Sequence, residues 1–244
     1  RELVRRAIRF QRPERLPFTG SMGETDFSGD TVAIFPDIPC KWWLGGGGED
    51  EWGCQWEVEP GTKDMGQVKN IRIPDLNDLS ALQMPNAADP ARYRGWPEIL
   101  ARAEAENKYV VCCNGPLLFE RAHFLHGFEN TLVDIACEPE LVIAFLRRLA
   151  EYHFATIRHI QQNFPGRIHG YRTTDDWGTQ QAAIISPASF AQVFQPVYRD
   201  LFAAVHAAGM DAWLHSCGCI HAILPLLIEA GLDVVNVMQT NAFP

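Results

Sequence analysis

"RIHGYRTTDDWG" (residues 167–178), "SPASFAQVFQPVYRDLFAAVHAAG" (186–209) and "MDAWLHSCG" (210–218) follow one another in the chain. The first and third read as strands, each ending in polar or reactive residues. The middle stretch reads as a helix. Ser186 stands at its N-cap, Pro187 opens the first turn, and Gly209 follows the last turn. A strand, a long helix and a second strand form the unit that links parallel neighbours in a sheet.

The same alternation extends in both directions. "PEILARAEAEN" (97–107) is helical, "KYVVCCNGP" (108–116) is a buried strand, and "LLFERAHFLHG" (117–127) is a short helix. "EPELVIAFLRRLAEYHFATIRHIQQN" (138–163) is a long helix with Leu141, Phe145, Leu149 and Tyr152 along one side. After residue 218, "IHAILPLLIEAG" (220–231) is a helix and "LDVVNV" (232–237) a strand. Near the start, "RELVRRAIRF" (1–10) is an amphipathic helix and "RLPFTG" (15–20) a short strand. "EWGCQWEVEPGTKDMGQVKNIRI" (51–73) alternates around "EPGTKD" and predicts a small β-hairpin insertion. The glycine run at 45–48 reads as a loop, since no Lys-Ser/Thr and no helix follow it.

Alternating strands and helices predict an α/β fold with a parallel sheet. Cys113, Asn114, Asp175, Asp176, His215, Cys217, Asn236 and Gln239 gather at strand C-termini. That is the rim where a (β/α)8 TIM-type barrel carries its site. A doubly wound sheet also binds there, but no glycine fingerprint follows the first strand. The expected fold is therefore a single barrel domain over residues 1–244. Five strands are found where a closed barrel takes about eight, so the barrel is expected to be incomplete at its C-terminal side. The first residue is not Met, which points to residues before Arg1.

The 244 residues are 47% hydrophobic and 21% charged, enough for a large core. Net charge is −9, and no basic block offers a nucleic-acid surface. No run approaches the ~20 apolar residues of a membrane span, and the first helix lacks the apolar core of a secretory signal. Seven scattered Cys point to free thiols in a reducing compartment, so the expected location is the cytoplasm.

His215 and Cys217 lie two apart at a strand end, so their side chains share a face. Imidazole and thiolate are zinc ligands, and two of them preset half a tetrahedral site. Gly218 lets the backbone turn away. The alternative is a buried thiol beside a hydrogen-bonded histidine. A redox pair of Cys217 and Cys219 lacks the C-x-x-C spacing, and a four-ligand site using Cys219 and His221 is too compressed. Asp175 and Asp176 face opposite ways on a strand, so one enters the mouth as a base or substrate-orienting group, or else caps a turn. Asn114, Asn236 and Gln239 are candidate substrate contacts. His123, His126, His153 and His159 lie on helical patterns as packing or surface residues.

"RELVRRAIRFQRPERLPF", "NGPLLFERAHFLHGFEN", "DDWGTQQAAIISPASFAQVFQPVYRDLFAAVHAAGM" and "WLHSCGCIHAILPLLIEAGLDVVN" resemble the uroporphyrinogen decarboxylase superfamily, on the branch near the corrinoid-dependent methyltransferases. The resemblance implies a barrel with its site at the strand C-termini. It implies a catalytic zinc on the pair matched by His215 and Cys217, with a third protein ligand expected beyond residue 244. It further implies methyl transfer between a small methylated compound or thiol and a corrinoid on a partner protein, with a homodimer among the allowed assemblies. The alternatives are a porphyrin decarboxylase and a non-catalytic barrel in a corrinoid complex. The true decarboxylases carry an Arg-Gln-Ala-Gly-Arg segment after the first strand, whereas "FTGSMGETDF" (18–27) has no Arg.

Overall fold

The computed structural model describes residues 1–38, 47–59, 61, 66–237 and 239–242. Five strands form one parallel sheet: β1 (Thr31–Ile34), then, after a small antiparallel sheet, β5 (Tyr109–Pro116), β6 (Gly170–Thr174), β7 (Asp211–Ser216) and β8 (Val234–Val237). Their spatial order is their chain order, without reversal. A doubly wound sheet reverses direction at a switch point; this one winds one way, like a barrel wall. Among the described residues, β1 and β8 are the sheet's two edges.

The strand count matches the sequence reading, but one member differs. Residues 15–20 form no strand, and β1 takes that place. The reason lies in Asp30. Its carboxylate accepts from the Phe18 N–H at 2.7 Å and pairs with the Arg15 guanidinium on both oxygens. A side chain thus takes the donor a ladder would use, and Pro17 has none to offer. Leu16 and Phe18 are left 83% and 60% exposed.

The helices pack on one face. They are α2 (Trp96–Ala105), α3 (Phe119–His126), α4 (Phe128–Cys137), α5 (Pro139–Asn163), α6 (Pro187–Ser189), α7 (Gln195–Ala207) and α8 (Leu224–Glu229). They bury Val32, Val110, Cys112, Tyr171, Ala212 and Leu214 in the main core. The helix expected over 186–209 forms with Ser186 as cap, its hydroxyl accepting from the Ser189 N–H at 3.0 Å. A π turn at Phe190–Phe194 interrupts it. Pro196 lacks the N–H that would continue the ladder there, and the widened turn absorbs the break.

The opposite face carries Ala33, Tyr109, Val111, Cys113 and Trp213. Helix α1 (Glu2–Ile8) packs Val4 and Ile8 against it. Arg9, just past α1, bridges Asp211 and Asp233 at the N-terminal ends of β7 and β8.

The hairpin insertion is a three-stranded sheet: β2 (Gly48–Glu49), β3 (Gln55–Glu57) and β4 (Gln67–Val68), with Trp56 opposite Val68. Most of the "EPGTKD" turn, and Gly45 and Gly46 of the glycine run, lie outside the described residues. Asp50 ties this sheet to the core. It accepts from the Trp52 and Cys54 N–H groups, from Trp56 Nε1 and from Arg121. The six described cysteines are free thiols. Among the described residues, no helix is long and apolar enough to cross a membrane.

Candidate metal centre

β6 and β7 run side by side, with Thr174 opposite His215. Each continues past its last ladder residue into a loop, and the two loops interlock. The Gly178 N–H donates to Cys217 O at 3.1 Å, and the Cys219 N–H to Thr179 O at 2.8 Å. Gly218 sits at φ +74°. A Cβ there would lie 2.2 Å from Gly178 O, and one on Gly178 would lie 2.4 Å from Cys219 N. Both positions therefore need glycine, so that the loops can meet backbone to backbone.

This junction brings together Asp176, His215 and Cys217, whose ligand atoms lie within 4.8 Å of one another. His215 Nε2 is 3.4 Å from Cys217 Sγ and 3.7 Å from Asp176 Oδ1. His215 Nδ1 lies 2.9 Å from Asn236 O. A carbonyl only accepts, so Nδ1 carries the proton and Nε2 turns its lone pair to the cluster. The Cys217 N–H donates to Asp176 Oδ1 at 2.8 Å, fixing the carboxylate over the thiol. His215 is mostly buried, while 39% of the Asp176 side chain is open to solvent.

The donor set suits zinc. A tetrahedral zinc, at ~2.3 Å from sulfur and ~2.0–2.1 Å from nitrogen, holds those two ligand atoms roughly 3.5 Å apart. The observed 3.4 Å fits without rearrangement. The electrostatics favour a cation. Burial, then Asp176, push the Cys217 thiol up to about 11. Burial also pushes His215 down, so its imidazole is neutral at pH 7. Glu120, at the start of α3, is buried and accepts from the Thr174 hydroxyl at 2.6 Å. Burial, with Asp176 and Asp175 nearby, raises it well above the usual carboxylate range. A metal ion held there would bring positive charge into this acidic pocket and would replace the thiol proton.

The two aspartates part company. Asp175 is wholly buried, and its carboxylate accepts from the N–H groups of Leu118, Phe119 and Glu120 at 2.9, 3.1 and 2.7 Å. Tyr198 donates its hydroxyl to the same carboxylate. Burial raises Asp175 to about 6 against these four donors. Its oxygens cap the N-terminus of α3, so the rim role considered for either aspartate falls to Asp176. With Asp176, the described residues already offer three ligands.

Asn236 orients His215. Gln239 Oε1 accepts from the Gly218 N–H at 2.7 Å and so braces the Cys217 loop. Asn114 is elsewhere. Its amide is buried against Tyr152 and Thr156 of α5 and against Tyr171. It therefore faces the helices, not the mouth, which corrects its reading as a substrate contact. Period-two counting from Val110 and Cys112 would have placed it there. The sequence reading also passed over Glu120 and Arg172. An acidic residue in the first turn of a helix after a strand was the cue for Glu120.

The family model described as uroporphyrinogen decarboxylase (URO-D) matches residues 49–243. The chain belongs to this family. No curated protein matches it. Among solved structures, it is similar to a chitinase from Chromobacterium violaceum ATCC 12472. That match has 12% identity and a TM-score of 0.33, over 58% of this chain and 40% of the chitinase. At that score the likeness carries no argument.

Proposed function

We propose that this family member is a zinc-dependent methyltransferase. It would move a methyl group between a small methylated compound or thiol and a corrinoid on a partner protein docked over the strand C-termini. The five strands are read as the wall of an eight-stranded (β/α)8 barrel, and the free thiols favour the cytoplasm. The observation that carries the reading is the convergence of His215 Nε2, Cys217 Sγ and the Asp176 carboxylate at one open point.

Bound there, zinc would hold an acceptor thiol as thiolate at neutral pH, or polarise the heteroatom bearing the methyl. The chain's own residues do the positioning. Asn236 aims the imidazole, and the Cys217 N–H holds Asp176. The part-exposed Asp176 side leaves an approach for the acceptor. Glu120 lies beside the cluster, its carboxyl held well above the usual range by burial and by Asp176 and Asp175.

The porphyrin decarboxylase alternative has less support. Its substrate carries many carboxylates and calls for Arg forks, and residues 18–27 contain no Arg. The test is methyl transfer between methylcobalamin and a panel of thiols and methylated small molecules, with zinc assayed in the same protein. Wild type should turn over with zinc near one per chain. Cys217→Ala should lose both, and full activity in that variant would sink the mechanism.

A further inference from the structure

Arg172 lies at the centre of β6, on the face opposite the helices. Register sets it between Cys113 of β5 and Trp213 of β7. Thr174, His215 and Asn236 form the next layer toward the rim, roughly 7 Å further along the strands. Arg172 Nη2 donates to Asn236 Oδ1 at 3.1 Å. That same oxygen lies 3.2 Å from His215 Nδ1. The guanidinium and the metal-facing imidazole thus share one acceptor atom.

Arg172 nevertheless lacks a counter-charge. The buried arginines Arg92 and Arg121 are paired with Glu51 and Asp50. Among the described residues, no carboxylate lies within ion-pair distance of Arg172; its buried Nε lacks a hydrogen-bond partner, as do those of Arg92 and Arg121, so the missing counter-charge is what sets it apart. Withdrawing a guanidinium from water without a counter-ion is costly. Its planar fork matches the two oxygens of a carboxylate.

We infer that Arg172 anchors a carboxylate of the substrate, one layer beneath the metal centre. The heteroatom that gives or takes the methyl then lies at Asp176, His215 and Cys217. The substrate class is a small carboxylic acid with a thiol or methylated heteroatom a few bonds away. The heteroatom end rests on the proposed metal chemistry; the carboxylate end does not.

The test uses the zinc-loaded full chain in calorimetric titrations with 3-mercaptopropionate, 2-mercaptoethanol and propionate. Wild type should bind 3-mercaptopropionate at least ~10-fold more tightly than 2-mercaptoethanol, as expected for a charge-assisted pair. Arg172→Gln should erase that preference while zinc content and unfolding temperature stay unchanged. Arg172→Lys keeps the charge but loses the fork, so it should keep part of the preference; it also carries the test if the Gln variant does not fold. Equal wild-type affinities for the two thiols would overturn the inference. A fall in zinc content in Arg172→Gln would overturn it too, making Arg172 a support for Asn236 and His215. Arg172-dependent propionate binding in a protein that holds no zinc would sink the metal reading and uphold the anchor.

Discussion

On the helix side of the sheet, Asn114 is enclosed by Tyr152, Thr156 and Tyr171, and Asp175 by four donors. On the other side, Asn236 presents one oxygen to both His215 and Arg172, and Arg172 keeps an unpaired Nε. The same residue types are spent differently. Behind the sheet, polar groups close one another off and contribute to the fold. In front of it, they are left with capacity for something brought from outside. Buried polar groups cost stability unless they are paired; orphaned guanidinium nitrogens occur on both sides, at Arg92 and Arg121 as well as Arg172, but Arg92 and Arg121 each hold a carboxylate and Arg172 holds none among the described residues.

Asp175→Ala is the hardest blow to the back face. It strips three N–H groups and the Tyr198 hydroxyl of their acceptor, and should cost about 3–5 kcal/mol in urea unfolding. A loss under about 1 kcal/mol would remove the distinction between the faces. Cys217→Ala tests the front. It should change unfolding by less than about 1 kcal/mol, yet weaken zinc binding by more than ~100-fold in a chelator competition, beyond what second-layer changes do. Comparable stability losses for the two variants would break the contrast.

Asn236→Ala should weaken zinc about 10-fold, at the low end for such partners. The main-chain carbonyl of residue 236 still holds His215 Nδ1. Asn114→Ala should leave zinc affinity unchanged. If both variants lower it equally, the sheet does not separate the two networks.

The pH dependence of zinc binding sharpens the same point. The Cys217 thiol is raised to about 11, so below that pH the metal must displace its proton. His215 is pushed down and stays neutral at and above pH 7. Apparent affinity should therefore rise about tenfold per pH unit between pH 7 and 9, with one proton released per zinc. Titrations in buffers of different ionisation enthalpy read that proton directly.

The smallest effect belongs to the exposed N-terminal segment. Arg15 holds Asp30 down, to about 2. A depressed carboxylate adds stability above its unfolded value near 4, and that stability is lost as pH falls toward 2. The Arg15 side of the pair is 57% exposed, so Asp30→Asn should move the melting temperature at pH 7 by no more than about 2 °C. A larger fall would mean that this segment is part of the core.

The two-residue spacing of His215 and Cys217 was legible because strand period is a local property. Alternating strands and helices likewise gave away the parallel sheet. What escaped depends on contacts far along the chain. Asp175 and Asp176 are neighbours in sequence, and only the arrival of α3, 57 positions upstream at Leu118, decides which is a cap. "RLPFTG" has strand propensity, yet Asp30 takes the Phe18 N–H. Asn114 was misread by its position near a strand end rather than by its parity. Arg172 showed no sign, because a missing counter-charge is visible only once the charges that are present have been placed.

Gly178 and Gly218 leave no space for a Cβ where the two loops meet, and those loops carry Asp176 and Cys217. A mutation that adds even a methyl at either glycine would displace two donors at once. The junction itself therefore has room for no side chain, and the spacing of the two donors depends on that.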